Sequence, residues 1–207
     1  MEIKDAYNIW ADQYDTNENK TRDLEGLVLR KSLSGFSFEN VLEIGCGTGK
    51  NTEWFITHSK HVTSVDFSEE MLAKAREKFH GDVEFIQADI NLSWNFVHRL
   101  YDLVSFSLVL EHIENLGDIF SKAAKCLKPD GYVYVGELHP FKQYQGTKAR
   151  FENEHGLHVL ECYVHNLTDF IQAAKKYGLV LVDIEEYFDD DNPNSIPRIL
   201  RIIFQKK

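Results

Sequence analysis

The stretch Val41-Leu42-Glu43-Ile44-Gly45-Cys46-Gly47-Thr48-Gly49-Lys50-Asn51 decides the fold. Apolar residues lead into three glycines at alternate positions, and polar residues suited to a helix start follow. That order predicts a strand turning sharply into a helix, with glycines where the backbone takes unusual dihedrals and lets a ligand lie against it. A dinucleotide fingerprint has the spacing G-x-G-x-x-G; this one is G-x-G-x-G, with Glu43 two places before the first glycine. A carboxylate beside a pyrophosphate is repelled, whereas beside an ammonium and a sulfonium it is attracted.

Outward from that turn, strands and helices alternate. Strands are expected at Asn40 to Ile44, His61 to Val65, Asp82 to Gln87, Tyr101 to Ser107 and Tyr132 to Leu138. Helices are expected from Gly49 to Thr57, Ser68 to Phe79 and Leu110 to Leu127, the last stopped by Lys128-Pro129-Asp130-Gly131; Leu92 to Arg99 is expected as loop with a short helical turn. Strands separated by helical patterns of this length imply βαβ units and a mainly parallel sheet with helices on both faces. Before this core, Ile3 to Tyr14 and Thr21 to Leu33 have helical spacing. After it, Ala149 to Glu154 and Leu157 to Val164 suggest two strands about His155-Gly156, and Thr168 to Tyr177 a helix closed by Gly178. Leu179 to Phe188 and Arg198 to Phe204 predict an antiparallel hairpin, with Asp189 to Asp191 as a solvated loop between them.

The expectation is one domain over 1–207: a helical cap (1–34), a ligand-binding core (40–138), an excursion shaping the acceptor side (139–165), and a terminal helix and hairpin (166–207). In an open parallel sheet, ligands bind beyond the carboxyl ends of the strands. Glu43 and the glycines, Asp66, Asp89, Ser107, and Glu137 with His139 all fall at such ends, which points to a single crevice.

Over roughly Val41 to Leu138 the chain resembles the class I S-adenosylmethionine-dependent methyltransferases. Glu43, Gly45, Gly47 and Gly49 match the family's glycine motif, Asp66 its ribose-binding acid and Asp89 the acid near the adenine. Tyr101 to Ser107, continued by Leu108 to Ile113, matches its fourth-strand segment, and Trp10 to Asp15 its pre-sheet helix. The resemblance implies a Rossmann-like three-layer α/β sandwich, with a mainly parallel seven-stranded sheet ending in an antiparallel hairpin. It also implies S-adenosylmethionine as cofactor and S-adenosylhomocysteine as product. Phe67 and Ile90 are then candidates for the adenine walls, with Cys46 and Ser107 beside the cofactor. Arg22 is a candidate for the methionine carboxylate through its fork geometry, and Tyr14 for the sulfonium through cation–π attraction.

Methyl transfer by in-line displacement to a small-molecule oxygen, nitrogen or carbon nucleophile is the expected reaction, with His139 and His165 as candidate bases. No metal-ligand spacing is visible, and Cys46, Cys126 and Cys162 lie too far apart in sequence to indicate a zinc site or a disulfide framework. A formal net charge of −10 disfavours a nucleic-acid partner. An N-terminus without a signal-peptide pattern and the lack of a spanning apolar run predict a cytoplasmic chain with no membrane partner. Phe141, Tyr144, Phe151 and Tyr163 are expected either to wall the acceptor or to form a homodimer surface. RNA modification and a catalytically silent cofactor-binding subunit are the competing readings; a nicotinamide oxidoreductase fails on the glycine spacing and Glu43.

Overall fold

The computed structural model describes residues 2–79, 81, 83–154 and 156–207. Its sheet is laid down by five parallel strands: β1 (Asn40–Ile44), β2 (His61–Asp66), β3 (Val83–Gln87), β4 (Tyr101–Ser107) and β5 (Leu127–Leu138). β8 (Leu179–Tyr187) and β9 (Ile199–Lys206) complete it in antiparallel sense, and the order across the sheet is β3-β2-β1-β4-β5-β9-β8. Consecutive residues of the central strands are buried, Val41 and Leu42 in β1 and Leu103 and Val104 in β4, because both faces of a parallel sheet are covered.

One face buries Leu29 and Leu33 of α2 (Lys20–Leu33) and Phe55 of α3 (Thr52–His58) against Val41, Val62 and Leu103. The other buries Ile119 and Phe120 of α5 (Leu116–Cys126) and Phe170 of α7 (Leu167–Lys175) against Ile44, Val104 and Phe106. The layers are thus helix, sheet, helix, as expected. Among the described residues no helix is long and apolar enough to cross a membrane.

Several expectations change. The segment Leu110 to Leu127 is not one helix: a 3₁₀ turn at Leu110–His112 is separated from α5, which starts where the Asn115 side chain accepts from the Asp118 N–H. α3 begins at Thr52 rather than Gly49, because Gly49 sits at φ 87°. β5 starts at Leu127 and passes through Lys128-Pro129-Asp130-Gly131 as a bulge, with Asp130 at φ 61°. The expected turn in Leu92 to Arg99 is present without a helix, and the expected start of β3 at Asp82 lies outside the described residues.

Asp189 is not simply solvated. It accepts from Arg198 and, at 3.2 Å, from Lys142, and these partners pull its carboxyl down to about 2. The excursion forms a short helix, α6 (Pro140–Tyr144), and a separate two-stranded antiparallel sheet of β6 (Arg150–Asn153) and β7 (Gly156–Val159). This small sheet folds back onto α1 (Ile3–Tyr14), where Phe151 stacks on Trp10 at 5.2 Å. α1 is also tied to α4 (Glu69–Lys78) by the Asp12–Lys74 ion pair at 3.0 Å, and to the cap of α4 by Ser68 donating to Asn8 at 2.6 Å.

Candidate active site

The glycine turn is clamped by the strand beside it. Gly45 and Cys46 both donate to the Val65 carbonyl, at 2.8 and 3.1 Å, and the Gly47 N–H donates to Asp66 Oδ2 at 2.8 Å. Gly45 has φ 73°, and a Cβ there would stand 2.8 Å from the Val109 side chain, so no other residue fits. Asp66 also accepts the Ser68 N–H at 2.9 Å; burial raises its carboxyl, and these backbone donors oppose the rise.

The opposite wall comes from the loop after β4. Leu108 takes φ 55°, with its N–H donating to the Gly136 carbonyl at 2.8 Å. The Val109 and Leu110 N–H groups donate to Glu137 Oε1 at 3.0 and 2.8 Å. Glu137 therefore acts as a clamp on this loop. Burial pushes its carboxyl up to about 8, with the nearby Glu111 carboxylate pushing the same way.

Between the walls lies a cleft of about 130 Å³. Tyr14, Gly45, Gly47, Asp66, Phe67, Asp89, Ile90 and Ser107, all anticipated from sequence, line it. Asp89 is at the same time a turn residue, accepting from the Asn91 backbone at 2.9 Å. The expected ligand fits this surface. At Gly47 a Cβ would meet only the Tyr14 ring, at 3.9 Å, so the backbone is open to close approach. Asp66 and Asp89 supply acceptors for a diol or an amine, and Ile44, Val65 and Ile90 supply flat apolar contact.

Four anticipated cofactor residues lie elsewhere. Glu43 is buried beneath the turn, where its carboxylate accepts from Thr52 and, at 2.8 Å, from Ser64; burial raises it to about 7. The Cys46 thiol is buried off the cleft wall, 3.7 Å from the Gly47 carbonyl. Gly49 is required by packing: a Cβ there would stand 2.6 Å from the Phe79 ring. Arg22 donates to the carbonyls of Tyr14 and Asn17, closing the α1–α2 loop; desolvated donors have taken the nearest backbone acceptors.

Neither anticipated base lines the cleft. His139 is fully buried as the N-cap of α6: Nδ1 accepts the Phe141 N–H at 3.1 Å, which leaves Nε2 to donate to Glu186 at 2.9 Å. His165 Nε2 lies 2.6 Å from the Ile113 carbonyl and fastens the excursion to the loop after β4. His155 lies outside the described residues. The expected aromatic wall is divided as well, with Phe141 and Tyr144 exposed on α6 and Phe151 packed on Trp10.

The histidine on the wall is His112. Its Nδ1 is 3.1 Å from the Glu161 carbonyl, which can only accept, so Nδ1 carries the proton and Nε2 accepts from the Tyr7 hydroxyl at 2.9 Å. Burial, reinforced by Tyr14 and Glu111, holds the Tyr7 phenol well above its usual range. Glu111, His112 and Cys162 offer ligand atoms within 4.8 Å of one another, the spacing a metal ion would need. Both imidazole nitrogens are engaged, however, with Tyr7 and the Glu161 carbonyl, and burial pushes the Cys162 thiol up to about 12.

A second cavity, of about 290 Å³, lies beside the cleft and shares Tyr7, Tyr14 and Leu108 with its lining. A more open depression of about 640 Å³ lies on the outer side of Gly49, but its Lys50 and Lys78 are paired with Asp23 and Asp15.

Sequence and structure comparisons agree with this geometry. A methyltransferase-domain family model matches residues 42–135. A ubiquinone biosynthesis O-methyltransferase of Hydrogenovibrio crunogenus is 25% identical over 155 residues, which span 70% of this chain and 61% of that protein. The chain spans less than two thirds of the length of the first curated relatives it matches. Among solved structures, a Listeria monocytogenes protein assigned to the S-adenosylmethionine-dependent methyltransferases is 26% identical, with 88% of this chain and 98% of that one superposed at a TM-score of 0.71. The N-methyltransferase NodS of Bradyrhizobium japonicum in complex with S-adenosylhomocysteine shares the fold at 20% identity and a TM-score of 0.72, over 98% of this chain and 97% of that one. Over residues 42–135 the chain matches the methyltransferase-domain family, and its glycine turn, its sheet and these relatives make it similar to the class I S-adenosylmethionine-dependent methyltransferases.

Proposed function

We propose that this chain transfers a methyl group from S-adenosylmethionine, held in the cleft, to a small molecule held in the second cavity. The observation that carries this reading is that the two cavities are neighbours, with Tyr7, Tyr14 and Leu108 lining both. When bound, the cofactor supplies the methyl group: its C–S bond breaks as the acceptor–carbon bond forms, and the electron pair stays on sulfur. Gly45 and Gly47 give the ligand close access to the backbone, and Asp66 offers it acceptors. Tyr14 contributes a ring face to a cation. Tyr7 stands at the junction with its hydroxyl on His112. An acceptor proton passes to the Tyr7 oxygen as the Tyr7 proton passes to His112 Nε2, and the Glu161 carbonyl keeps the ring in the required tautomer.

The test is calorimetry with S-adenosylhomocysteine, together with labelled methyl transfer to a panel of small acceptors. Tyr7→Phe and His112→Gln are expected to keep cofactor-product affinity and lower turnover by about 10²-fold or more. Unchanged turnover in both variants removes the relay, and no binding of S-adenosylhomocysteine removes the function.

A further inference from the structure

The second cavity differs in charge from the rest of the chain. The sequence carries 33 acidic and 23 basic residues, yet five cations line this cavity (Lys20, Arg22, Lys148, Arg150 and Arg198) against two carboxylates, Glu18 and Glu111. Glu111 is buried and already accepts from Gln143 at 3.4 Å. Arg198 is neutralised by Asp189, a residue it shares with Lys142. Arg22 is different. Its side chain is only 10% exposed, its Nη donors go to uncharged carbonyls, and its Nε makes no hydrogen bond, the Asp23 carboxylate lying 3.5 Å away. Asp23 is itself paired with Lys50. Lys20, Lys148 and Arg150 stand exposed on the rim, and among the described residues no carboxylate lies within ion-pairing distance of any of them. The lysines of the depression beyond Gly49, by contrast, are each matched with an aspartate.

A partly buried arginine without a full counter-charge, ringed by unpaired cations, gives the cavity a positive field that its walls focus. We infer that the methyl acceptor is an anion: a small molecule bearing a carboxylate or phosphate group, seated by Arg22 and drawn in past Lys20, Lys148 and Arg150. This rests on the proposed reaction for its meaning, since it names the class of compound that reaction would methylate. If the cofactor's own carboxylate takes Arg22, the rim cations still face the acceptor.

Calorimetry tests the inference in two stages. S-Adenosylhomocysteine is titrated first; its failure to bind overturns the proposed function and leaves the anion question to be answered on the free protein. Protein saturated with it is then titrated at constant ionic strength with inorganic phosphate, malonate, choline and glycerol. Phosphate or malonate is expected to bind, and the tighter of the two identifies the group preferred; choline and glycerol should give no heat. The double variant Lys148→Glu/Arg150→Glu should weaken anion binding by at least about tenfold while S-adenosylhomocysteine affinity holds. Both side chains are exposed, and the milder Lys148→Gln/Arg150→Gln pair should show a smaller loss in the same direction. Silent anions, choline binding as well as phosphate, or a charge-reversed variant with unchanged anion affinity would each overturn the inference.

Discussion

The two cavities share three residues and little else. The cleft is walled by aliphatic side chains and carries Asp66 and Asp89; the neighbouring chamber is ringed by lysine and arginine. In the proposed reaction, opposite charge on the two sides of Tyr7 would sort ligands before shape does, a cation to one compartment and an anion to the other. The two sides are also built differently. The cleft is shaped by backbone held in unusual conformations at Gly45, Gly47 and Leu108, each fixed by hydrogen bonds from the adjoining strand. The chamber is shaped by side chains from the α1–α2 connection, the excursion and the residue that precedes β9, mostly outside the sheet.

The sharpest way to break this contrast is to remove the charge on the cleft side. Asp66→Asn should weaken S-adenosylhomocysteine by about 1.5–3 kcal/mol, and should leave anion binding in the chamber unaltered; equal loss of both ligands, read by calorimetry, would mean the compartments are not separate. Next in size is the effect of Glu137, which supports the wall between them. Its carboxyl is raised to about 8, so the folded state holds a proton that the unfolded chain has released, and stability falls as pH rises from the usual value near 4.5 through about 8. Thermal melts should show lower stability at pH 9 than at pH 6, and Glu137→Gln, which keeps the acceptor oxygen, should flatten that slope. The smallest effect is expected at His139. His139→Ala removes a helix cap and should lower stability by about 1–2 kcal/mol, with turnover intact; a turnover loss at unchanged stability would return it to the reaction.

How much of this was legible in the sequence follows from the distances over which each feature is encoded. The glycine turn, Asp66 and the sheet's alternation are written in a few consecutive residues, and the structure keeps all of them. The Tyr7–His112 hydrogen bond joins positions 105 residues apart, and Tyr7 in the apolar stripe of α1 has the pattern of an ordinary packing residue. His139 misled because closeness to a strand end does not say where a side chain turns. The proline that follows it was the better clue, since Pro140 starts a short helix that needs a cap. Glu43 was placed beside the right turn, but on the face of β1 that looks toward Thr52 and Ser64.

α1 contributes Ile3, Tyr7 and Tyr14 to the cleft and Tyr7, Trp10 and Tyr14 to the chamber, so one short helix roofs both. It is seated by Ala6, Trp10 and Ala11 packed with Met71, Phe151 and Leu160, and by polar contacts from Tyr7 to His112, Asn8 to Ser68, Asp12 to Lys74 and Gln13 to the Glu152 carbonyl. Donor and acceptor therefore share a door. In the proposed reaction, displacing this one helix would uncover spent cofactor and methylated product together, and its opening would bound how fast either compartment is reloaded.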